Sequence, residues 1–391
     1  MPHRRKRFLY ELILKRSKLW PVLGILGPRQ VGKSTLLREI LAPVLKAQYQ
    51  TLDERDVRNR ALASPSHFLL AESQDLSVPL IIDEVQKAPE LFDEMKALID
   101  KRRVPGRFFL SGSTEFSQKT GIRESLTGRI GISRLYPLNL AEITRRSLGN
   151  SWLKFKPEIR TTAWEIEEFL QNGGMPGICF LRSQEERSAV IDSWLETTCF
   201  RDLQQVQGSR LEGQLARDIL LTVASQDFPT ASSIAAALKV DPRKVKTYLL
   251  GLEGLFVIHS VAPHAKGVGK TRYLLFDCGI AARLGASRFN RLRIWILNEF
   301  LTQSEYHGKG HVFPRYYQSK KGSHVAFVTA LDGKETGIIL TEESSPGTYL
   351  QRTAIAFKER VLGANAIILA PTSQESSLAT KVRVLPWVGM A

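Results

Sequence analysis

Along the first third of the chain, short apolar runs alternate with segments of helical spacing. Residues 21–26 are such a run, closed by a Gly-rich turn, and in 35–42 Leu36, Leu37, Ile40 and Leu41 recur at helical spacing. That order predicts strand, loop, helix. Further strands are predicted near 47–52, 78–82, 107–110 and 130–135, with a helix over 89–101 that sets Leu91, Phe92, Met95 and Leu98 on one face. Strands alternating with helices predict a parallel, three-layer α/β sheet over residues 20–145. Residues 1–19 precede it. Glu11 and Lys15 interrupt the apolar stretch there, so the pattern predicts a basic amphipathic helix rather than a signal peptide.

The pattern then changes. Residues 146–210 read as a small helical lid, with Trp152, Trp164 and Trp194 as core and a break at Gly173-Gly174-Met175-Pro176. Residues 211–262 predict helices at 211–224 and 231–238, then a third with Asp241 at its N-cap and Pro242 at its first position, then a strand at 256–261. That is the element order of a winged helix-turn-helix. Over 263–391, short strands near 273–276, 325–328, 337–340, 366–369 and 382–385, with a helix over 350–362, predict a second α/β domain.

Composition narrows the function classes. At roughly 100–200 residues per domain, the chain holds about two to four domains. No apolar run approaches the roughly 20 residues that span a bilayer, so no membrane span is expected. Lys and Arg number 55 against 39 for Asp and Glu, a net charge of +16, which favours a polyanionic partner, either nucleic acid or an anionic membrane surface, without choosing between them. With no lipidation motif behind a membrane-surface role, DNA is the expected partner and no membrane. Cys179, Cys199 and Cys278 are far apart and odd in number, which argues against disulfides and zinc sites and for a reducing, cytoplasmic setting.

The strongest chemical signal is Gly27-Pro28-Arg29-Gln30-Val31-Gly32-Lys33-Ser34, followed by Thr35. It fits the P-loop pattern G-x-x-x-x-G-K-[ST] and lies between a predicted strand and a predicted helix. Glycines let backbone N–H groups curl around phosphate oxygens, and the helix N-terminus adds its dipole. Lys33 supplies charge to the β and γ phosphates, and Ser34 offers a hydroxyl to Mg²⁺. Further on, Leu80-Ile81-Ile82-Asp83-Glu84 ends a predicted buried strand in two carboxylates. Asp83 is the candidate for the Mg²⁺ shell, mostly through water, and Glu84 the candidate general base on an attacking water. The two motifs together predict an ATPase that uses ATP and Mg²⁺.

With these motifs stand Asp83-Glu84-Val85-Gln86, Ser111-Gly112-Ser113, Glu124-Ser125-Leu126-Thr127-Gly128-Arg129, Leu135-Tyr136-Pro137-Leu138, Gly173-Gly174-Met175-Pro176 and Phe276-Asp277-Cys278-Gly279-Ile280. Together they resemble bacterial and archaeal AAA+ ATPases whose P-loop reads GPRQVGK[ST] and which carry a C-terminal domain of unknown function. The resemblance implies a P-loop AAA+ fold. It places Ser111 and Ser113 at a sensor position near the γ-phosphate. It makes Arg129 a candidate arginine finger, acting on a neighbouring subunit in a homo-oligomer such as a hexameric ring. Arg201-Asp202 matches a family pair and reads as a structural ion pair. Residues 263–391 resemble a restriction-nuclease-like fold that needs Glu, Asp and Glu-x-Lys to hold Mg²⁺. Aligned on that pattern, Arg293, Ala326, Ile339 and Thr341 stand at those positions, with Glu335, Glu342 and Glu343 nearby, so an inactive nuclease-like domain is expected.

Arg243, Lys244 and Lys246 lie on the third helix of the winged-helix pattern, and Lys266, Lys270 and Arg272 read as a wing touching phosphates. Arg288, Arg291, Arg293, Lys309, Arg315, Lys320 and Lys321 extend the basic character. The expectation is a DNA-binding AAA+ ATPase that couples hydrolysis to remodelling of, or movement on, DNA, branched DNA included. The alternatives are an ATP-dependent regulatory switch acting on a protein partner and, third, a nuclease.

Overall fold

The structure is a computed structural model and describes residues 5–71, 78–114, 126–158, 161–207, 211–312, 314–331, 334–378 and 382–390. The chain divides into two compact units, one of residues 6–136 with 254–256, the other mainly of 137–253 and 257–391. Among the described residues, no helix is long and apolar enough to cross a membrane.

In the first unit, helix α1 (Leu9–Arg16) buries Leu9, Leu12 and Ile13. At its end Arg16 donates to the Ile132 carbonyl at 2.7 Å and the Ser133 hydroxyl at 2.6 Å. The five-stranded sheet has the order β2 (Gln48–Thr51), β3 (Leu80–Asp83), β4 (Phe108–Gly112), β1 (Val22–Leu26), β5 (Ile130–Arg134). Every pairing is parallel. Strands β1, β3 and β4 are buried along their whole length, which is why they read as unbroken apolar runs. Burying each of Leu80, Ile81 and Ile82 stabilises the fold by roughly 1.5–3 kcal/mol.

Helix α2 begins as Lys33–Thr35, passes through a π-helical turn at Leu36–Leu41 and ends as Ala42–Leu45. Pro43, which has no N–H to give to the preceding turn, lies where the π turn gives way. Helices α3 (Arg55–Ala63) and α4 (Pro65–Ala71) join β2 to β3, and α5 (Leu91–Lys101) joins β3 to β4. Because the strands are parallel, the loops that leave β1, β3 and β4 emerge from one edge of the sheet.

The second unit opens with α6 (Leu140–Thr144), α7 (Ser151–Lys154), α8 (Ala163–Asn172) and α9 (Gln184–Thr197). The last continues through a π-helical turn at Thr198–Asp202 into Leu203–Gln207. Trp152 and Trp194 are core, as expected, whereas Trp164 is exposed. Helices α10 (Gly213–Ser225), α11 (Ala231–Leu238) and α12 (Pro242–Gly254) lead into an antiparallel hairpin, β6 (Ile258–Val261) with β7 (Arg272–Leu275). Thr230 caps α11, accepting the Ser233 N–H at 3.2 Å.

Helices α13 (Cys278–Arg283) and α14 (Arg288–Tyr306) precede a six-stranded mixed sheet. Its order is β12 (Ser376–Ser377), β13 (Arg383–Pro386), β11 (Asn365–Ala370), β10 (Lys334–Leu340), β9 (His324–Leu331), β8 (Arg315–Gln318). Helix α15 (Thr348–Arg360) makes the crossover between the parallel neighbours β10 and β11.

Two segments singled out in the sequence are each other's packing partners. The buried Asp277 carboxylate caps α13 by accepting the Ile280 N–H at 3.0 Å, and it accepts the Gly174 N–H at 2.8 Å. Burial raises the Asp277 carboxyl above its usual range, and backbone N–H donors oppose that shift. A Cβ on Gly173 would collide with this carboxylate, and one on Gly279 with the Asn172 carbonyl. The glycines therefore serve a close joint within this unit.

Candidate functional site

The chain leaves β1 at Leu26 and winds through residues 27–32 into α2. Gly27 has no room for a side chain, because a Cβ there would strike the Leu135 carbonyl oxygen. Gly32, at φ 99°, takes a left-handed conformation that glycine adopts without strain. Gln30 also has positive φ, at 62°. Lys33 is only 4% exposed, and its Nζ donates to the Gly27 and Pro28 carbonyls, both at 2.9 Å. Val31 is buried, Ser34 and Arg29 are half-buried, and Thr35 is exposed on the first turn of α2.

Beneath the loop lies a residue to which the sequence pattern assigns no role. Arg7 is almost wholly buried. Its Nη1 donates to the Val31 carbonyl at 2.8 Å and its Nη2 to the Tyr136 carbonyl at 2.6 Å. One guanidinium thus ties the P-loop backbone to the segment leaving β5.

At the end of β3, Asp83 is 2% exposed. Tyr49 on β2 donates its hydroxyl to Asp83 Oδ2 at 2.6 Å, and Ser111 on β4 donates to Oδ1. The Ser111 hydroxyl oxygen accepts the Glu84 N–H at 3.1 Å. Glu84 itself is left-handed, at φ 57° and ψ 44°. A non-glycine residue in that region costs of order 1–3 kcal/mol, and such residues cluster at functional sites. Its Oε2 accepts from Gln86 Nε2 and from the Ser113 hydroxyl, the latter at 3.1 Å, and Gln86 Nε2 also lies 3.2 Å from Ser113 Oγ. The loops after β1, β3 and β4 thereby bring the P-loop, Asp83, Glu84, Ser111 and Ser113 to one edge of the sheet. Tyr49 and Gln86 join them without having been assigned a role from sequence.

Arg129 is not among them. It donates to Asp100 Oδ1 at 2.7 Å and to the Thr127 carbonyl at 3.0 Å, and its own carbonyl accepts the Val22 N–H at 3.2 Å. Val22 pairs with Ile130, so Arg129 stands at the amino edge of the sheet, whereas the P-loop leaves the carboxyl edge. The intervening length of strand is about 16 Å. Glu124 and Ser125, in the same sequence motif, lie outside the described residues.

The basic residues of the second unit sort into two groups. Arg272 donates to the Phe228 carbonyl at 3.0 Å and to Gln318 Oε1 at 2.9 Å, with its guanidinium over the Phe228 and Tyr316 rings. Arg288 pairs with Glu167 and Glu342, and Arg291 donates to Gln171 at 2.6 Å. Arg293 is buried against Asp227 and Asn290, and burial lowers its pKa. These four arginines have partners built into the fold, and Arg293 is buried. By contrast, Arg243, Lys246, Lys266, Arg315, Lys320 and Lys321 are exposed, and Lys244 forms an exposed pair with Glu212 at 2.9 Å. Arg201 and Asp202 do form an ion pair, at 3.0 Å.

In the C-terminal sheet Ala326 and Ile339 are buried on β9 and β10, and Thr341 follows β10. Two of the three nearby carboxylates are engaged, Glu335 with His264 at 3.0 Å and Glu342 with Arg288. Among the described residues no group of three or more His, Cys, Asp or Glu side chains is arranged to hold a metal ion.

Residues 20–144 match the family model of an AAA domain, and residues 163–291 match a Domain of unknown function (DUF8612). Uncharacterized proteins of Mycobacterium tuberculosis and Mycobacterium bovis are each 28% identical over 272 residues, 68% of this chain and 56% of theirs. The chain thus spans about half the length of the curated relatives it matches. Among solved structures, a Walker-type ATPase of Pyrococcus abyssi is similar at TM-score 0.43 and 17% identity, over 71% of this chain and 94% of that one. The DNA clamp loader delta protein of Bacillus subtilis follows at TM-score 0.30 and 16% identity, over 73% and 91%.

Proposed function

We propose that the chain binds ATP with Mg²⁺ at the P-loop, hydrolyses it as a homo-oligomer, and couples turnover to binding, remodelling or movement on DNA. One observation carries the reading: within the segment that matches an AAA domain, Lys33, Asp83, Glu84 and Ser111 meet at the carboxyl edge of a parallel sheet.

Lys33 takes the β and γ phosphates, exchanging its two backbone carbonyls for them, while the backbone N–H groups of residues 27–35 line the phosphate oxygens. Ser34 and Asp83 are oxygen donors, the set that Mg²⁺ prefers, and fit it. Bound there, the ion would neutralise charge developing on the phosphates. Glu84 takes the proton of the attacking water, with its carboxylate oriented by Gln86 and Ser113. Ser111 and Ser113 sense the γ-phosphate through the same two carboxylates. Arg129, on the opposite edge from its own P-loop, serves a neighbouring subunit's ATP. Residues 146–210 act as the lid, 211–262 as a winged helix and 263–391 as an inactive nuclease-like domain.

A second reading, the regulatory switch, draws on one feature. Leu250 is 62% exposed on α12, on the same solvent face as Arg243 and Lys246, as a protein-docking helix would present it. Steady-state ATP hydrolysis without nucleic acid, then with single-stranded, duplex and four-way-junction DNA and with RNA, separates the two. Stimulation by one DNA structure supports coupling to DNA. A rate indifferent to all of them supports the switch.

A further inference from the structure

The hairpin connection 262–271 carries Lys266 and Lys270 and, as a wing, would project into solvent. Instead it is stapled to β8. The His264 N–H donates to the Tyr316 carbonyl at 2.7 Å and the Val268 N–H to the Gln318 carbonyl at 2.8 Å. The Tyr316 hydroxyl donates to the Lys270 carbonyl at 2.8 Å. Gly269 sits against that hydroxyl, where any side chain would collide. The connection and the C-terminal sheet are therefore one surface.

Between the connection, the end of β8 with its following turn, and the last turns of α15 runs an open groove of about 630 Å³. Tyr317 contributes to its lining, and Lys266, Lys320 and Arg360 supply three cations against the single carboxylate of Glu359. None of these three cations ion-pairs with a described carboxylate. That sets them apart from Arg272, Arg288, Arg291 and Arg293, whose partners are built into the fold. Lys270, on the same connection, is tied to Ser232 at 3.0 Å. Beside Lys320 and Lys321, in the turn 319–322, the Gly322 carbonyl accepts the Tyr349 hydroxyl at 3.2 Å, and the Tyr349 ring is 61% exposed. Unpaired cations along a groove, with an exposed aromatic ring beside the turn that carries Lys320, make the combination that holds a single strand, phosphates on the cations and a base on the ring.

We infer that this groove binds the backbone of single-stranded nucleic acid, with Lys266, Lys320 and Arg360 on phosphates and Tyr349 stacked on a base. The inference rests on the DNA-coupled reading and assigns its contact surface to the joint of the hairpin connection and C-terminal sheet. An acidic protein segment is the competing occupant. It would use the cations and leave the ring idle.

The test is equilibrium binding of a fluorescent oligothymidylate to the full chain across a salt series. The proteins are wild type, the triple variant Lys266→Gln/Lys320→Gln/Arg360→Gln, Tyr349→Ala, Tyr349→Phe and Arg243→Gln/Lys246→Gln, with thermal unfolding as a check on folding. The triple variant should weaken binding and flatten the log–log salt slope by about 2, three contacts at about 0.7 each. Tyr349→Ala should lose on the order of tenfold in affinity with the slope unchanged, and Tyr349→Phe should restore it. If the triple variant binds with wild-type affinity and slope while the Arg243/Lys246 variant loses binding, the groove assignment is overturned and the DNA-coupled reading stands. If the wild type binds no oligonucleotide at low salt but binds polyglutamate, both fall.

Discussion

Tyr49 donates its hydroxyl to Asp83 Oδ2 at 2.6 Å from one neighbouring strand, while Ser111 reaches Oδ1 from the other. Strand β3 lies between β2 and β4, so the sheet itself fixes both donors. Burial, then the hydrogen bond to Asp83, push the Tyr49 phenol above its usual pKa, which keeps it a donor. Tyr49→Phe removes one hydrogen bond to a charged group, worth about 1.5–3 kcal/mol, and leaves the ring in place. The expected result is a lower unfolding midpoint and a several-fold rise in the Mg²⁺ needed for half-maximal ATPase, with kcat near wild type at saturating Mg²⁺. An unchanged Mg²⁺ requirement counts against Asp83 as part of the metal shell.

Arg7 forks across the Val31 and Tyr136 carbonyls from outside the segment that matches the AAA domain. A lysine carries its donors on one nitrogen, without the planar fork whose two separate nitrogens span these carbonyls. Arg7→Lys should raise the KM for ATP more than it lowers kcat, because it loosens the loop and leaves Glu84 untouched. Equal losses in both parameters, accompanied by unfolding, would reduce Arg7 to a purely structural residue.

What the sequence made legible was local. The P-loop is contiguous, and Asp83-Glu84 ends an apolar run, so both motifs and the strand–loop–helix around them could be read directly. Tyr49 and Arg7 could not, because their roles exist only once distant segments meet. Helix α14 was hidden for a related reason. It is buried almost all round, Arg293, Asn298, Glu299 and Glu305 included, so no apolar stripe marks it. The partners of Arg272, Arg288, Arg291 and Arg293, namely Gln318, Glu167, Gln171 and Asp227, were illegible because they lie far away in the chain.

Glu299 on α14 is wholly buried, accepts the Leu140 N–H at 2.8 Å and Trp295 Nε1–H at 3.2 Å, and lies near the Glu142 carboxylate. Burial, which outweighs those donors, pushes its carboxyl up to about 7 from 4.5. The folded chain thus keeps a proton that the unfolded chain releases near 4.5. Its contribution to stability is complete below that pH and is lost as pH rises through 7, by about 3 kcal/mol in all. Glu299→Gln keeps an acceptor without a charge. Its unfolding midpoint should exceed that of wild type at pH 8 and approach it at pH 5. Parallel curves across that range would contradict the buried-proton account.

Arg129→Ala should lower turnover with little change in ATP affinity, because the arginine stands at the amino edge of its own sheet. Mixing this variant with Lys33→Ala, itself unable to hold ATP, tests whether the two sites complement across subunits. Recovered activity in the mixture supports action in trans, and simple averaging contradicts it.

The central claim is that Glu84, held by Gln86 and Ser113 beside Asp83, drives ATP hydrolysis. It is tested most directly by single-turnover hydrolysis of γ-labelled ATP by wild type and Glu84→Gln, with ATP affinity measured on the same samples. The account predicts that Glu84→Gln binds ATP as tightly as wild type and loses on the order of 10²-fold or more in the rate of phosphate formation. A wild-type rate in Glu84→Gln, at unchanged affinity, would contradict it.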